Sequence, residues 1–147
     1  MGVQFTGNEI WRIVSTDCAC TVFDTFAVPD MTYFLGGASS TQTLTAVKDA
    51  VSKVAGNLDG FTFCGARQYL ITAATPSNYG NVLSLNTITN VLTLGSTSTT
   101  LTDVGEYIIT ITVKLTNYPT ITKTAQFTAS VINCVVTMLT PTAVSNQ

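Results

Sequence analysis

The chain has 147 residues, of which 46% are apolar and 10% are charged, a balance that argues against intrinsic disorder. Its formal net charge is −2, and its six Lys and Arg residues are scattered singly, so no basic patch exists for a nucleic-acid backbone. The absence of histidine removes the commonest general base and the commonest metal ligand, so we expect no enzyme activity, no metal and no cofactor.

The first part of the chain consists of short predicted strands. Threonine occurs 28 times, and this β-branched residue favours a pleated surface. We predict one or two strands over residues 3–16, one over 20–28, one over 31–35 and one over 41–47. Turn residues separate them, namely Pro29-Asp30 and Gly36-Gly37. No stretch approaches the roughly 20 apolar residues of a membrane span, so we expect no membrane insertion.

Residues 46–56 fit two interpretations. Val47, Ala50, Val51 and Val54 have helical spacing, and Gly56 would suit the end of a helix. A bent strand fits the same residues nearly as well, so a short helix or a strand stays open here. Beyond this stretch, short strands are predicted over 61–64, 68–74, 81–85, 87–94 and 98–102.

The stretch from Asp103 to Leu115 is the strongest strand signal in the chain. After Tyr107, apolar and mostly polar residues alternate without a break, which puts one face in a core and the other outside. The lead-in Asp103-Val104-Gly105-Glu106-Tyr107 resembles the tyrosine corner of immunoglobulin-like sandwiches, in which a buried Tyr hydroxyl bonds back to the preceding turn. Asp103, Gly105 and Tyr107 therefore mark the fold.

Residues 121–132 alternate in the same way and should pair with the Tyr107 strand as a hairpin. Eight or more strands at this spacing predict an all-β, two-sheet sandwich. Five threonines of the hairpin are expected on its outward face: Thr110, Thr112, Thr122, Thr124 and Thr128. A solvated surface is the favoured interpretation, and O-glycans, contact with a partner sheet or ice binding are the alternatives. Asp24 and Asp30 are interpreted as turn residues rather than as a catalytic carboxylate pair.

Four cysteines are present, Cys18, Cys20, Cys64 and Cys134. They contain no Cys-x-x-Cys motif and no histidine can complete a zinc set, so they indicate two disulfides in an oxidising compartment. Cys18 and Cys20 are too close in sequence to bridge comfortably. Two pairings stay open, Cys18–Cys134 with Cys20–Cys64, or Cys18–Cys64 with Cys20–Cys134, and each bridge would contribute about 3–5 kcal/mol.

The two ends of the chain resemble each other at an offset of 116 residues. Cys134, Thr137, Ala143 and Val144 fall on Cys18, Thr21, Ala27 and Val28. Self-similarity at a fixed period is a sign of a repeat array. We therefore predict a sandwich over residues 18–134, a strand segment over 1–17 that resembles the end of a preceding repeat, and a segment over 135–147 that resembles the start of the next.

Residues 18–134 resemble the tandem Ig-like or cadherin-like repeats of large extracellular proteins, especially those of protists, including the dystroglycan-type domain. The resemblance is carried by Cys-x-Cys-Thr at 18–21, by the tyrosine-corner pentapeptide at 103–107, and by the segments 33–36, 116–119 and 127–131. An antibody-type domain has a Cys two residues after the corner Tyr, whereas this chain has Ile109. Calcium-binding cadherins have acidic clusters at domain borders, whereas Glu9, Asp17, Asp24 and Asp30 are isolated, so calcium is not expected.

Two functions follow as hypotheses. The first is a structural repeat or subunit of an extracellular filament, sheath or surface coat, whose partners are copies of itself or neighbouring repeats joined through ordered terminal strands. The second is a monomeric adhesion or ligand-binding module of a cell-surface protein. Both place the chain outside the cell or at the cell surface.

Overall fold

The computed structural model describes residues 22–50, 64–95 and 100–133. These residues form nine strands: β1 (Val22–Phe23), β2 (Met31–Phe34), β3 (Ser40–Thr43), β4 (Asp49–Ala50), β5 (Arg67–Thr75), β6 (Leu83–Asn86), β7 (Val91–Leu94), β8 (Gly105–Leu115) and β9 (Thr122–Ile132). Two 3-10 turns, Ser77–Asn81 and Leu101–Asp103, lie before β6 and before β8. The predicted end segments 1–17 and 135–147 lie outside the described residues.

Two sheets form the body of the fold. One has four strands in the order β2-β9-β8-β5, and the other has three in the order β3-β7-β6. Neighbouring strands are antiparallel except β2 and β9, which run parallel. Residues from both sheets share one buried apolar cluster, with Leu92 and Leu94 of β7 and Ile109 and Ile111 of β8 fully buried. This confirms the predicted all-β sandwich. β1 and β4 form a separate antiparallel pair at its side.

β8 is the central strand of the core. Its five inward side chains, Tyr107, Ile109, Ile111, Val113 and Leu115, are all 2% exposed or less, as the alternation predicts. Burial of each aliphatic side chain contributes about 1.5–3 kcal/mol relative to exposure. β9 pairs with β8 over ten residue pairs, from Gly105↔Val131 to Lys114↔Thr122, so the predicted hairpin is confirmed.

The residues before β2 and between β6 and β7 are less regular than predicted. Of the strand expected over 20–28, only Val22–Phe23 is in a strand among the described residues, because the chain leaves β1 to reach the edge of the other sheet. The strand expected over 87–94 begins only at Val91. The Oδ1 atom of Asn86 accepts hydrogen bonds from the N–H groups of Ile88 and Thr89 at 3.0 and 3.1 Å, which closes a turn instead.

Two further predictions are settled in part. In the open stretch 46–56, Asp49–Ala50 form strand β4, no helix occurs over 46–50, and 51–56 lie outside the described residues. The strand expected over 98–102 is wrong at its end, because Leu101–Asp103 form a 3-10 turn. That turn places Asp103 beneath the following strand, where Tyr107 requires a bonding partner.

Candidate functional site

The turn before β8 forms a tyrosine corner. The Tyr107 hydroxyl donates a hydrogen bond to the backbone carbonyl of Asp103 at 3.0 Å, and both residues are buried. The Asp103 carboxylate accepts hydrogen bonds from the Thr100 hydroxyl and, at 3.5 Å, from the Asn81 amide. Burial, and then the Asp103 charge, raise the pKa of Tyr107. All four residues are hydrogen-bonded to one another within the fold, so we assign the corner a structural role.

A second buried polar cluster joins β4 to the start of β5, and the sequence did not predict it. The Asp49 carboxylate, fully buried, bonds the Arg67 guanidinium at 2.5 Å, and the Arg67 side chain is 4% exposed. The other Asp49 oxygen accepts the Cys64 backbone N–H at 3.0 Å. Arg67 also donates to the carbonyls of Val47, at 2.9 Å, and Gly65. A charged pair so enclosed needs hydrogen bonds on its remaining sites, and this cluster supplies them.

Two aromatic rings enclose the same cluster. The Arg67 guanidinium lies over the Phe23 ring at 5.8 Å from its centroid. The Tyr69 hydroxyl donates to the Thr45 carbonyl at 2.8 Å and accepts the Val47 N–H at 3.1 Å. Burial raises the pKa of Tyr69, while the bond to Val47 and the Arg67 charge act in the opposite direction. The cluster binds three chain segments together: Phe23, residues 45–49 and residues 64–69.

A cavity of about 330 Å³ lies beside this cluster. It is lined by two short segments, residues 24–27 and 45–48. Asp24, at its rim, accepts the N–H of Thr25 at 2.7 Å, and Asp30 accepts the N–H of Thr128 at 2.7 Å. Each carboxylate therefore bonds the backbone separately, Asp24 next to itself in the chain and Asp30 across to β9.

The broadest exposed feature is the side of the four-stranded sheet that faces away from the core, called here the outer face. On β8 it presents Glu106, Ile108, Thr110, Thr112 and Lys114. On β9 it presents the remaining predicted threonines, Thr122, Thr124 and Thr128, together with Gln126, Ser130 and Ile132. The Gln126 amide donates to the Thr110 hydroxyl at 3.2 Å, and the hydroxyls of Thr72 and Thr112 lie 2.7 Å apart. Hydrogen bonds thus order part of this hydroxyl-rich surface.

Apolar side chains border the outer face at one end. Phe34 and Ile132 are register partners on β2 and β9 and are 53% and 42% exposed. Val104 and Leu101, just before β8, are 39% and 67% exposed. The chain leaves β9 at this end of the sandwich. Single exposed apolar residues are ordinary, whereas several together indicate a contact surface.

The structure describes one of the four cysteines in the predicted disulfides. Cys64 is buried, and Cys18, Cys20 and Cys134 lie outside the described residues, so the pairing stays a prediction. Over the described ranges, no three His, Cys, Asp or Glu side chains are grouped to hold a metal ion. Over the same ranges, no helix has the length and apolarity required to cross a membrane.

Comparisons with solved structures indicate which fold this chain has. No family model matches the sequence, and no curated protein matches it. The solved ectodomain of human desmocollin-1 matches with a TM-score of 0.53 at 15% identity, covering 78% of this chain and 20% of that one. Protocadherin gamma B2 extracellular cadherin domains 1–5 match with a TM-score of 0.50 at 14% identity, covering 77% and 20%. The third cadherin domain of human protocadherin 7 has a TM-score of 0.49 at 15% identity, covering 90% and 100%.

The chain thus spans a fifth of the length of the desmocollin and protocadherin gamma B2 chains. At identities of 14–15%, these likenesses carry information on architecture. Together with the sheet order and the tyrosine corner, they show that this chain has a cadherin-like β-sandwich fold.

Proposed function

We propose that this chain is an extracellular, non-enzymatic module whose role is contact with other copies of itself or with neighbouring domains. The observation that carries the proposal is the outer face, a broad exposed sheet surface with few charges and an apolar border. The cadherin-like fold supports it, because the similar solved structures are extracellular cadherin domains and an ectodomain.

The finer form of this proposal is a repeat or subunit of an extracellular filament, sheath or surface coat. Its body would be residues 18–134, and the segments 1–17 and 135–147 would pair with neighbouring copies or repeats. Support comes from the offset of 116 residues that relates the two ends of the sequence. The apolar border of Phe34, Ile132, Val104 and Leu101 adds support, because it lies where the chain leaves β9 toward the next segment.

A monomeric adhesion or ligand-binding module is the second candidate. The observation that favours it is the cavity of about 330 Å³ lined by residues 24–27 and 45–48. Its volume is at the small end of the range for ligand sites. This candidate requires a compact monomer that uses a concave site near Asp24 and Lys48 rather than a sheet surface.

Light scattering after size-exclusion chromatography, combined with negative-stain electron microscopy of the full chain, tests these proposals. The filament form predicts fibres or oligomers with an interface above roughly 1,000 Å². Monomers with folded-back ends at every concentration would overturn it and favour the second candidate.

The oxidising, extracellular setting has its own test. Peptide mapping under non-reducing conditions should show Cys64 in a disulfide and should decide between the two pairings. Free thiols at all four cysteines would contradict the setting. Intact-mass measurement of the secreted protein, before and after removal of O-glycans, tests the proposal that exposed threonines such as Thr122 and Thr124 carry O-glycans.

A further inference from the structure

The outer face carries a charge pattern along β8 that matches a second copy of the same face. Glu106 and Lys114 stand at opposite ends of the strand, and the three outward residues between them are uncharged: Ile108, Thr110 and Thr112. Neither charge takes part in an ion pair within the part of the chain that the structure describes. An acid and a base on one strand are thus both available to a partner.

The strands beside β8 add no charge to this face. The outward residues of β9 are threonine, glutamine, serine and isoleucine, and those of β5 are glutamine, leucine, alanine and threonine. On β2 they are threonine and phenylalanine. Asp30, directly before edge strand β2, is exposed, and its carboxylate accepts the Thr128 N–H. Within the four strands themselves, Glu106 and Lys114 are therefore the outward charges that a partner sheet would meet. A partner with one sign of charge would satisfy one of them and repel the other.

We propose that two copies of this chain associate face to face as a symmetric dimer through the outer face. The two-fold axis lies between the two sheets, runs across the strands rather than along them and passes Thr110. Such an axis reverses the direction of the second β8. Glu106 of each copy then faces Lys114 of the other, Ile108 faces Thr112, and Thr110 faces its own equivalent.

The distances fit this arrangement. Eight residues of strand span roughly 27 Å, so each charge lies about 13 Å from the axis. Stacked sheets cross at about 30° and lie about 10 Å apart, which displaces facing charges sideways by roughly 7 Å. The combined reach of a lysine and a glutamate side chain covers that displacement. The opposite choice, an axis along the strands, would place Glu106 against Glu106 and Lys114 against Lys114.

The size of the face predicts a weak dimer. Three strands roughly 27 Å long and the four-residue β2, about 4.8 Å apart, present on the order of 450 Å² per copy, near the low end for specific interfaces. The short polar side chains of the outer face allow the two copies to approach closely. The two ion pairs of the dimer set the orientation of the copies and weaken as salt rises. The inference rests on the function proposed above, because the partner is another copy, but it uses neither terminal segment.

Sedimentation of the full chain over a range of concentrations tests the proposal, with circular dichroism to verify folding. The wild type should dimerise, and the dimer should weaken as salt rises. Glu106→Lys and Lys114→Glu, each alone, should raise the dissociation constant about tenfold or more, because each places like charges together twice per dimer. The double variant E106K/K114E restores both pairs in reverse and should return to within about threefold of the wild type.

Lys123→Glu is the matched control, because it makes the same charge change at an exposed β9 position paired with the inward-facing Val113. It should leave the dimer unchanged. A wild type that stays monomeric, single variants without effect, or a double variant that is not restored would overturn the proposal. Fibres that form equally in every variant would support terminal assembly and overturn the face dimer. A charge-dependent dimer without fibres would support the face dimer and overturn terminal assembly.

Discussion

Arg67→Met provides the most direct test of how this sandwich is stabilised. The guanidinium is the charged partner of the fully buried Asp49 carboxylate, at 2.5 Å, and its own side chain is 4% exposed. Methionine preserves the apolar stem and removes the charge and the donors. The substitution therefore leaves a buried carboxylate unpaired and the Val47 and Gly65 carbonyls without their Arg67 bonds.

The expected loss is about 3–5 kcal/mol in the free energy of unfolding, the range for removing one partner of a buried ion pair. Exposed pairs contribute about 0–1 kcal/mol, so the result distinguishes a buried from a solvated pair. Asp49→Asn keeps an oxygen acceptor for the Cys64 N–H and removes the charge. The double variant D49N/R67M should therefore lose less than the sum of the single losses, with a coupling of roughly 1–3 kcal/mol.

Urea denaturation followed by far-UV circular dichroism measures these free energies, with an unchanged slope on denaturant as the sign that the unfolding transition is the same. Lys48→Met is the matched control, since Lys48 is exposed beside the cluster, and it should change stability by no more than about 0.5 kcal/mol. A loss below about 1 kcal/mol for Arg67→Met, or strict additivity in the double variant, would refute the buried-pair reasoning.

Three further predictions concern tyrosines and one glycine. Tyr107→Phe removes the bond to the Asp103 carbonyl and should cost about 1–2 kcal/mol of stability in urea. Gly95→Ala should cost at least about 2 kcal/mol and lower the melting temperature, because a Cβ there would lie 2.4 Å from the Tyr33 ring and the backbone has φ +87°. Folding raises the pKa values of Tyr69 and Tyr107. As pH rises, these two tyrosines therefore ionise in the unfolded chain before they ionise in the folded protein, which favours unfolding. Stability measured against pH should hold below about pH 10 and decline above it.

Each of these three predictions has a control variant or an outcome that would contradict it. Tyr118→Phe, at a partly exposed loop tyrosine, should leave stability nearly unchanged. Gly80→Ala should be tolerated, since a Cβ at Gly80 meets no atom within 4 Å. Stability that increases above pH 10, or a Gly95→Ala variant as stable as Gly80→Ala, would contradict the reasoning.

Local patterns predicted the central hairpin well. The alternation after Tyr107 reports which side chains face a core, because successive strand residues point to opposite faces whatever their neighbours are. The inward residues of β8 and of β9 from Ala125 onward are buried as predicted. The strand predicted over 98–102 is wrong at its end, where Leu101–Asp103 form a 3-10 turn whose Asp103 carbonyl accepts the Tyr107 hydroxyl.

The buried pair of Asp49 and Arg67 could not be predicted from the spacing of apolar residues along the chain. Asp49 and Arg67 are 18 residues apart in the chain, and each by itself looks like a polar residue beside a short strand. Their pairing depends on how β4 and β5 are brought together. The sequence offers one signal for the pair, an arginine that opens a strand of otherwise uncharged residues, and this signal is too common to identify a buried ion pair.

The residue order was sufficient to predict an all-β chain, the core strand β8, its hairpin with β9 and the tyrosine corner, because these depend on neighbours a few residues apart. The folded structure was needed to show that β2 pairs in parallel with β9, that Arg67 bonds Asp49, and that β9, β5 and β2 contribute no outward charge beside Glu106 and Lys114. These features are set by contacts between distant segments, where many pairings satisfy the same local pattern and only packing of the whole core selects one.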